Sequence, residues 1–262
     1  MQVLALFNIK GGVGKTASTV NLAHLAAADG FRTLVWDLDP QGAASFYFRI
    51  KPRIKGGATK LLAKAKKKQS PLDKQIRGSD FEGLDLVPAD FSFRNLDLEL
   101  DATKKPTRRL ARLLDPLDDE YDLVFLDCAP SISLTSESVF EAADTLLVPT
   151  IPTPLSIRTL EQLDGHLQDS GPKKLRTLPF MCMVDRRKKL HRAAEELAAD
   201  CAERLERTEP FLQTRIPYSS HVEQMGLERA PVMAFAHRGA AAVAYRALWD
   251  ELKERLGLSH GA

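Results

Sequence analysis

The sequence predicts an α/β fold: a single doubly wound domain over residues 1–262, with a mostly parallel sheet flanked by helices. Two observations carry this. A glycine-rich loop, Lys10-Gly11-Gly12-Val13-Gly14-Lys15-Thr16, follows the apolar run Val3-Leu4-Ala5-Leu6-Phe7 and precedes Val20, Leu22, Ala23, Leu25 and Ala26 at helical spacing, the pattern of strand, loop and helix. Further apolar runs of strand length alternate with helix-compatible stretches along the rest of the chain, as expected where helices cover both faces of a parallel sheet.

The loop implies the chemistry of a P-loop NTPase. Glycines let successive backbone N–H groups turn inward toward a phosphate without Cβ atoms in the way. The following helix adds the positive end of its dipole. Lys15 supplies a charge for the β- and γ-phosphates, and the Thr16 hydroxyl is placed to ligate Mg²⁺. A nucleoside triphosphate is the implied ligand, held by residues 10–17.

Composition sets the bounds. The chain is 44% hydrophobic and 27% charged with a net charge of +2, so contact with a polyanion must come from local clusters rather than a global field. Cys128 and Cys182 lie in strand-like apolar runs, Cys201 is the third cysteine, and no CxxC pair exists. They read as buried thiols of a reducing compartment. With no signal peptide and no apolar run near 18 residues, a soluble cytoplasmic protein is expected.

After the first helix, Asp29-Gly30 turns the chain into the strand Thr33-Leu34-Val35-Trp36, which ends in Asp37-Leu38-Asp39-Pro40-Gln41-Gly42. A carboxylate just past a parallel strand sits where open α/β sheets bind ligands. Residues 49–77 carry Arg49, Lys51, Arg53, Lys55, Lys60, Lys64, Lys66, Lys67, Lys68, Lys74 and Arg77 against Asp73 alone, with Thr59 to Lys68 helix-compatible. A solvated face and a polyanion contact both fit; the density of charge favours the polyanion. A strand at Leu84 to Pro88 and two helices between Phe91 and Leu114, broken near Lys105-Pro106, lead to Tyr121-Asp122-Leu123-Val124-Phe125-Leu126-Asp127. An apolar strand ending in an acid is the Walker B layout, in which the acid orients a water on Mg²⁺. Cys128, directly after it, reads as a packed side chain rather than a nucleophile. A strand to Pro149, a helix from Ser156 to Leu167, a strand at Leu178 to Val184 and a final helix to Leu256 complete the alternation, with a basic cluster at Arg186, Arg187, Lys188, Lys189 and Arg192 opening a further helix.

Where a plain Walker A loop has its first glycine the chain has Ile9, and a second lysine, Lys10, stands before two glycines. This resembles the deviant Walker A loop of the ParA/MinD family of P-loop ATPases. The resemblance also covers Asp37 to Gly42, similar to the family's switch I, and Asp127 to Ser131, similar to switch II with Ala129 in place of the first proline. It implies that ATP closes two subunits into a sandwich, Lys10 reaching the partner's nucleotide, with Lys10, Lys15 and Asp39 as the catalytic set and Thr16, Asp39 and Asp127 around Mg²⁺. Ala17 replaces the usual second threonine, a loss of about 0.5–1.5 kcal/mol of hydrogen bonding.

More loosely, Met183 and Asp185, with Pro217 after Ile216, resemble the walls of the family's adenine pocket. Arg238 resembles an arginine that contacts DNA phosphates, while Tyr218 stands where a basic residue is common. The expectation is therefore of the Soj-like ParA branch without a helix-turn-helix: a slow, nucleoid-associated ATPase, homodimeric on ATP, binding DNA nonspecifically through Arg238, Lys64, Lys66, Lys67, Lys68, Arg186 and Arg187. A ParB-like or cargo-adaptor partner would stimulate hydrolysis, and the ATPase would position a chromosome, plasmid or protein organelle. A MinD-like membrane-associated ATPase is the alternative that the acidic Asp250, Glu251 and Glu254 of the last helix disfavour, and a metabolic ATP-dependent ligase or amidase is the other.

Overall fold

A computed structural model of the protein describes residues 1–62, 70–185, 187–191, 193, 196 and 210–259. Its centre is a continuous eight-stranded sheet of order β3-β4-β2-β5-β1-β6-β7-β8. In chain order the strands are β1 (Gln2–Leu6), β2 (Thr33–Asp37), β3 (Arg77–Gly78), β4 (Leu84–Val87), β5 (Leu123–Asp127), β6 (Thr145–Thr150), β7 (Arg176–Val184) and β8 (Arg215–Pro217). All neighbours run parallel except the two-residue edge strand β3, antiparallel to β4.

The described helices are α1 (Lys15–Ala28), α2 (Ala43–Tyr47), α3 (Gly57–Leu61), α4 (Leu96–Asp101), α5 (Arg109–Leu114), α6 (Leu134–Ala142), α7 (Pro154–Ser170), α8 (Ser220–Glu228), α9 (Val232–Phe235) and α10 (Ala240–Leu256). The segment from Phe91 to Leu114 is more broken than two helices. It holds 3₁₀ turns at Phe91–Asn95 and Pro106–Arg108 besides α4 and α5, and Lys105, ahead of Pro106, takes a left-handed φ of 62°, which a right-handed helix cannot pass through. Of the helix expected from Thr59 to Lys68, α3 is the described part; Lys64, Lys66, Lys67 and Lys68 lie outside the described residues, as do Arg186, Arg192 and Cys201.

Side chains alternate across each strand, so a strand buried on both faces feeds two cores. Val3, Ala5 and Phe7 pack on one face with Trp36, Leu126, Val148, Val139 and Leu160. Leu4 and Leu6 pack on the other with Leu25, Phe125, Leu147, Met225 and Trp249. The first core lies under α3 to α7 and the second under α1, α8, α9 and α10. Trp249 donates its indole N–H to Asp29 Oδ2 at 2.9 Å. Among the described residues no helix is long and apolar enough to cross a membrane.

Candidate nucleotide site

Strand β1 is flanked by β5 and β6 in mid-sheet, so the loop after it emerges at the centre of the strands' carboxyl edge. Gly12 and Gly14 hold φ of 70° and 95°, which bends the loop and delivers the chain into α1 with Gly14 as N-cap. A Cβ on Gly14 would stand 2.8 Å from Cys182 Sγ; only glycine meets both demands. Gly11 and Gly12 are exposed, whereas Val13 is buried as a plug beneath the loop.

The loop borders a cavity of about 340 Å³ lined by Gly11, Gly12, Gly14, Lys15, Thr16, Ala17 and Asp39 at one end and by Met183, Ile216, Pro217, Tyr218 and Glu223 at the other. Lys15 is buried and its Nζ donates to the Lys10 carbonyl at 3.1 Å. Burial pulls its pKa down, against the pull of Asp127, Cys128 and Asp39 upward. Lys10 does not line the cavity. Its Nζ lies 3.4 Å from Ser156 Oγ in the first turn of α7.

Behind the loop, register sets Asp37 at the end of β2 beside Asp127 at the end of β5. Both are fully buried. Asp37 Oδ2 accepts from Ser45 N at 2.8 Å and Ser45 Oγ at 2.7 Å, and Asp127 Oδ1 accepts from Thr19 Oγ1 at 3.2 Å. Asp37 Oδ1 and Asp127 Oδ2 have no hydrogen-bond partner among the described residues. Burial pushes Asp37 up to about 6, with the like charge of Asp39 adding to it. Burial also pushes Asp127 well above the carboxylate range, with the like charges of Asp37 and Asp39 adding. Buried carboxylate oxygens without donors, next to a threonine hydroxyl and a lysine, are the surroundings that a hard divalent cation relieves. The donor set therefore fits Mg²⁺, which Asp127, Thr16 and Asp39 would hold directly or through water.

The structure thus gathers Lys15, Thr16, Ala17, Asp39, Met183 and Pro217 around one cavity and keeps Asp127 behind it. Asp185 is not on the wall; it accepts a fork from Arg187, Nε and Nη2 each at 2.9 Å, which holds its carboxyl down at about 2. Arg187 is therefore engaged with that acid, while Arg238 is exposed just before α10. The structure adds neighbours that the sequence pattern does not single out, among them the cavity-lining Tyr47, Cys182 and Tyr245 and, beside Asp127, Asp37. Asp37 had a visible signal, since it closes an apolar strand as Asp127 does.

Loop, sheet order and strand-end acids define a P-loop nucleotide-hydrolase core. A family profile described as an AAA domain matches residues 1–174. The chromosome partitioning protein ParA of Caulobacter vibrioides is 30% identical, the alignment covering 97% of this chain and 95% of that protein. Cobyrinic acid a,c-diamide synthase from Mycobacterium smegmatis, solved with an ATP analogue and magnesium, is 25% identical with a TM-score of 0.79, covering 98% of this chain and 97% of the other. McdA from Cyanothece, solved in complex with ATP, shares the fold at 18% identity and a TM-score of 0.79 over 100% of this chain and 98% of its own. The chain belongs to the ParA/MinD family of deviant Walker A P-loop ATPases. It is an ATP hydrolase whose cofactors are ATP and Mg²⁺.

Proposed function

We propose that residues 1–262 act as one ATPase domain that closes on a second copy when ATP is bound, holds nonspecific DNA in that state, and positions a cargo until a partner protein stimulates hydrolysis. The observation that carries this reading is the division of labour between the two lysines. Lys15 is buried in its own cavity, whereas Lys10 stays off the cavity wall beside the exposed, side-chain-free Gly11 and Gly12. A rim without side chains lets a second backbone approach, and a lysine there can reach a neighbour's phosphates and offset charge developing in the transition state. Bound magnesium supplies charge neutralisation on the β- and γ-phosphates. Lys15 and the loop amides hold the phosphates, Thr16 and Asp127 hold the metal, and Asp39 orients the attacking water. Nothing in this set is a strong general base, so intrinsic turnover is slow.

Support for DNA comes from exposed Arg238, and from Lys51, Arg53, Lys55, Lys60, Lys74 and Arg77, all exposed in the basic stretch. Such contacts position a protein without reading sequence. The naming of the Caulobacter relative as a chromosome partitioning protein agrees with this. A membrane-docking last helix is less suited, because the apolar side of α10 is already spent on the core through Tyr245, Leu248, Trp249 and Leu252. The likeness to the diamide synthase favours one second reading, an ATP-dependent amidation.

The test is binding of nonspecific duplex DNA across a salt series with ATP, with ADP and without nucleotide, for the wild type and Lys10→Ala. ATP-dependent, steeply salt-dependent binding that Lys10→Ala loses while still taking up nucleotide is the expected result. Equal binding in all three nucleotide states would sink the ATP-gated mechanism, and no binding in any state would turn attention to the amidation reading.

A further inference from the structure

Helix α2 has five residues, too few to hold a helix by its own backbone hydrogen bonds. It lies a few residues downstream of Asp39 and carries Ala43 and Tyr47 on the wall of the nucleotide cavity. The same two residues also line a second cleft of about 580 Å³, which runs past Phe46, Ile50 and Pro52 to Gly226 and Arg229. A marginal helix with a cleft on either side needs anchors.

One anchor is the pair of Ser45 hydrogen bonds to Asp37. The other is an exchange between two arginines beyond the C-termini of α2 and α8. Arg49 donates from Nε to the Arg229 carbonyl at 3.1 Å and from Nη2 to the Glu228 carbonyl at 3.2 Å. It thereby caps the end of α8, where carbonyls lack helical partners and the dipole favours a cation. Arg229 returns the contact, its Nε donating to the Phe46 carbonyl at 3.2 Å and its guanidinium carbon standing 4.6 Å from the Phe46 ring centroid. Asp80 Oδ2 accepts from Arg49 Nη1 at 3.2 Å. Both arginines adopt left-handed φ, 60° and 48°, a backbone state that costs energy for a non-glycine residue and lasts only where the surroundings hold it. Neither touches the nucleotide cavity. The helices they join both border it, through Ala43 and Tyr47 of α2 and through Ser219, Val222 and Glu223 at and just inside the start of α8.

We propose that Arg49 and Arg229 form a latch that positions Asp39 for ATP hydrolysis by tying the short helix after it to the end of α8. The inference rests on the ATPase activity of the family and adds to it the residues that keep the switch segment in place. A water-orienting carboxylate loses its effect when displaced by about 1 Å. The latch therefore acts on turnover more than on binding, because the phosphates are held by α1 and the glycine loop, which it does not touch.

The test uses Arg49→Gly, Arg229→Gly and the double variant in the full chain. Glycine accepts the positive φ at both positions, so the latch is removed without imposing backbone strain. Steady-state ATPase kinetics, titration with a fluorescent ATP analogue and thermal melting are compared with the wild type. Each variant should lose roughly fivefold or more in kcat while KM and analogue affinity stay within about twofold. The melting temperature should hold, and the double variant should be no worse than the worse single one, since the two residues work as a unit. A kcat within about twofold of wild type would overturn the latch, as would equal loss of kcat and affinity together with a lowered melting temperature. A wild type that binds the analogue and does not hydrolyse ATP would instead fault the ATPase assignment.

Discussion

The two ends of the nucleotide cavity are built on opposite physical terms. At the phosphate end the charges are buried and their needs unmet: Lys15 is 7% exposed and Asp37 and Asp127 are 0% exposed, and two carboxylate oxygens have no donor among the described residues. At the other end the polar groups are open to water and have found each other. The Tyr218 hydroxyl donates to Glu223 Oε1 at 2.6 Å. Burial without partners stores an electrostatic demand that a triphosphate and its metal satisfy. Solvated, self-paired groups store almost none. Binding energy should therefore concentrate at the loop, and the far end should contribute shape.

The largest expected effect follows from removing Lys15, the cation buried at the phosphate end. Lys15→Ala should cost about 2–5 kcal/mol of nucleotide affinity, the usual loss when one partner of a buried charge pair is truncated. Titration with a fluorescent ATP analogue measures it, and undiminished binding would break the comparison outright. Next is Gly14→Ala, which asks an L-residue to hold φ of 95° with its Cβ 2.8 Å from Cys182 Sγ. Melting should show a loss of about 1–3 kcal/mol, with nucleotide affinity falling alongside.

The stored demand should also be visible without any nucleotide. Asp37 is raised from 3.8 to about 6 by burial first, with the like charge of Asp39 adding to it. An acid that holds its proton more tightly when folded contributes most below the unfolded value, and that contribution is lost as pH rises through the folded value. The metal-free protein should accordingly lose melting temperature between pH 4 and about 6–7. Asp37→Asn, whose amide oxygen can still accept from Ser45, should flatten that slope and raise the melting temperature at pH 7. A slope unchanged by the substitution would remove the electrostatic half of the contrast. The smallest effect belongs to the far end. Tyr218→Phe deletes an exposed hydrogen bond and should move KM for ATP by less than about twofold, around 0.5 kcal/mol at most.

How much of this was legible in the sequence follows the same division. The loop could be read because its function is local: residues 10–16 supply glycines, lysine and threonine at fixed spacing, with the strand and helix patterns on either side. The sheet's alternation and its parallel sense could be read from apolar runs for the same reason, as could the burial of Cys128 and Cys182. Asp37 was not recognised, because its importance arises from lying beside Asp127 across β2 and β5, a pairing between segments far apart in the chain. Tyr245 reaches the cavity from α10 and its hydroxyl lies 3.4 Å from Ser18 Oγ; a tyrosine in an amphipathic helix signals only packing. Asp185 fitted the expected motif by position, yet the turn after β7 sets it against Arg187 two residues on. That choice between wall and ion pair depends on loop geometry, which no periodicity encodes.

The chain has two tryptophans, and the sheet separates them: Trp36 lies in the core under α3 to α7 and Trp249 in the core under α1 and α10. Each layer thus carries its own intrinsic fluorophore. Trp36 adjoins Asp37 in sequence and sits in the strand that feeds the switch segment, while Trp249 is anchored to Asp29 at the far end of α1. A Trp249→Phe chain would emit from Trp36 alone, so that arrival of nucleotide and motion of the layer around Asp37 could be followed by stopped-flow optics, without an attached dye.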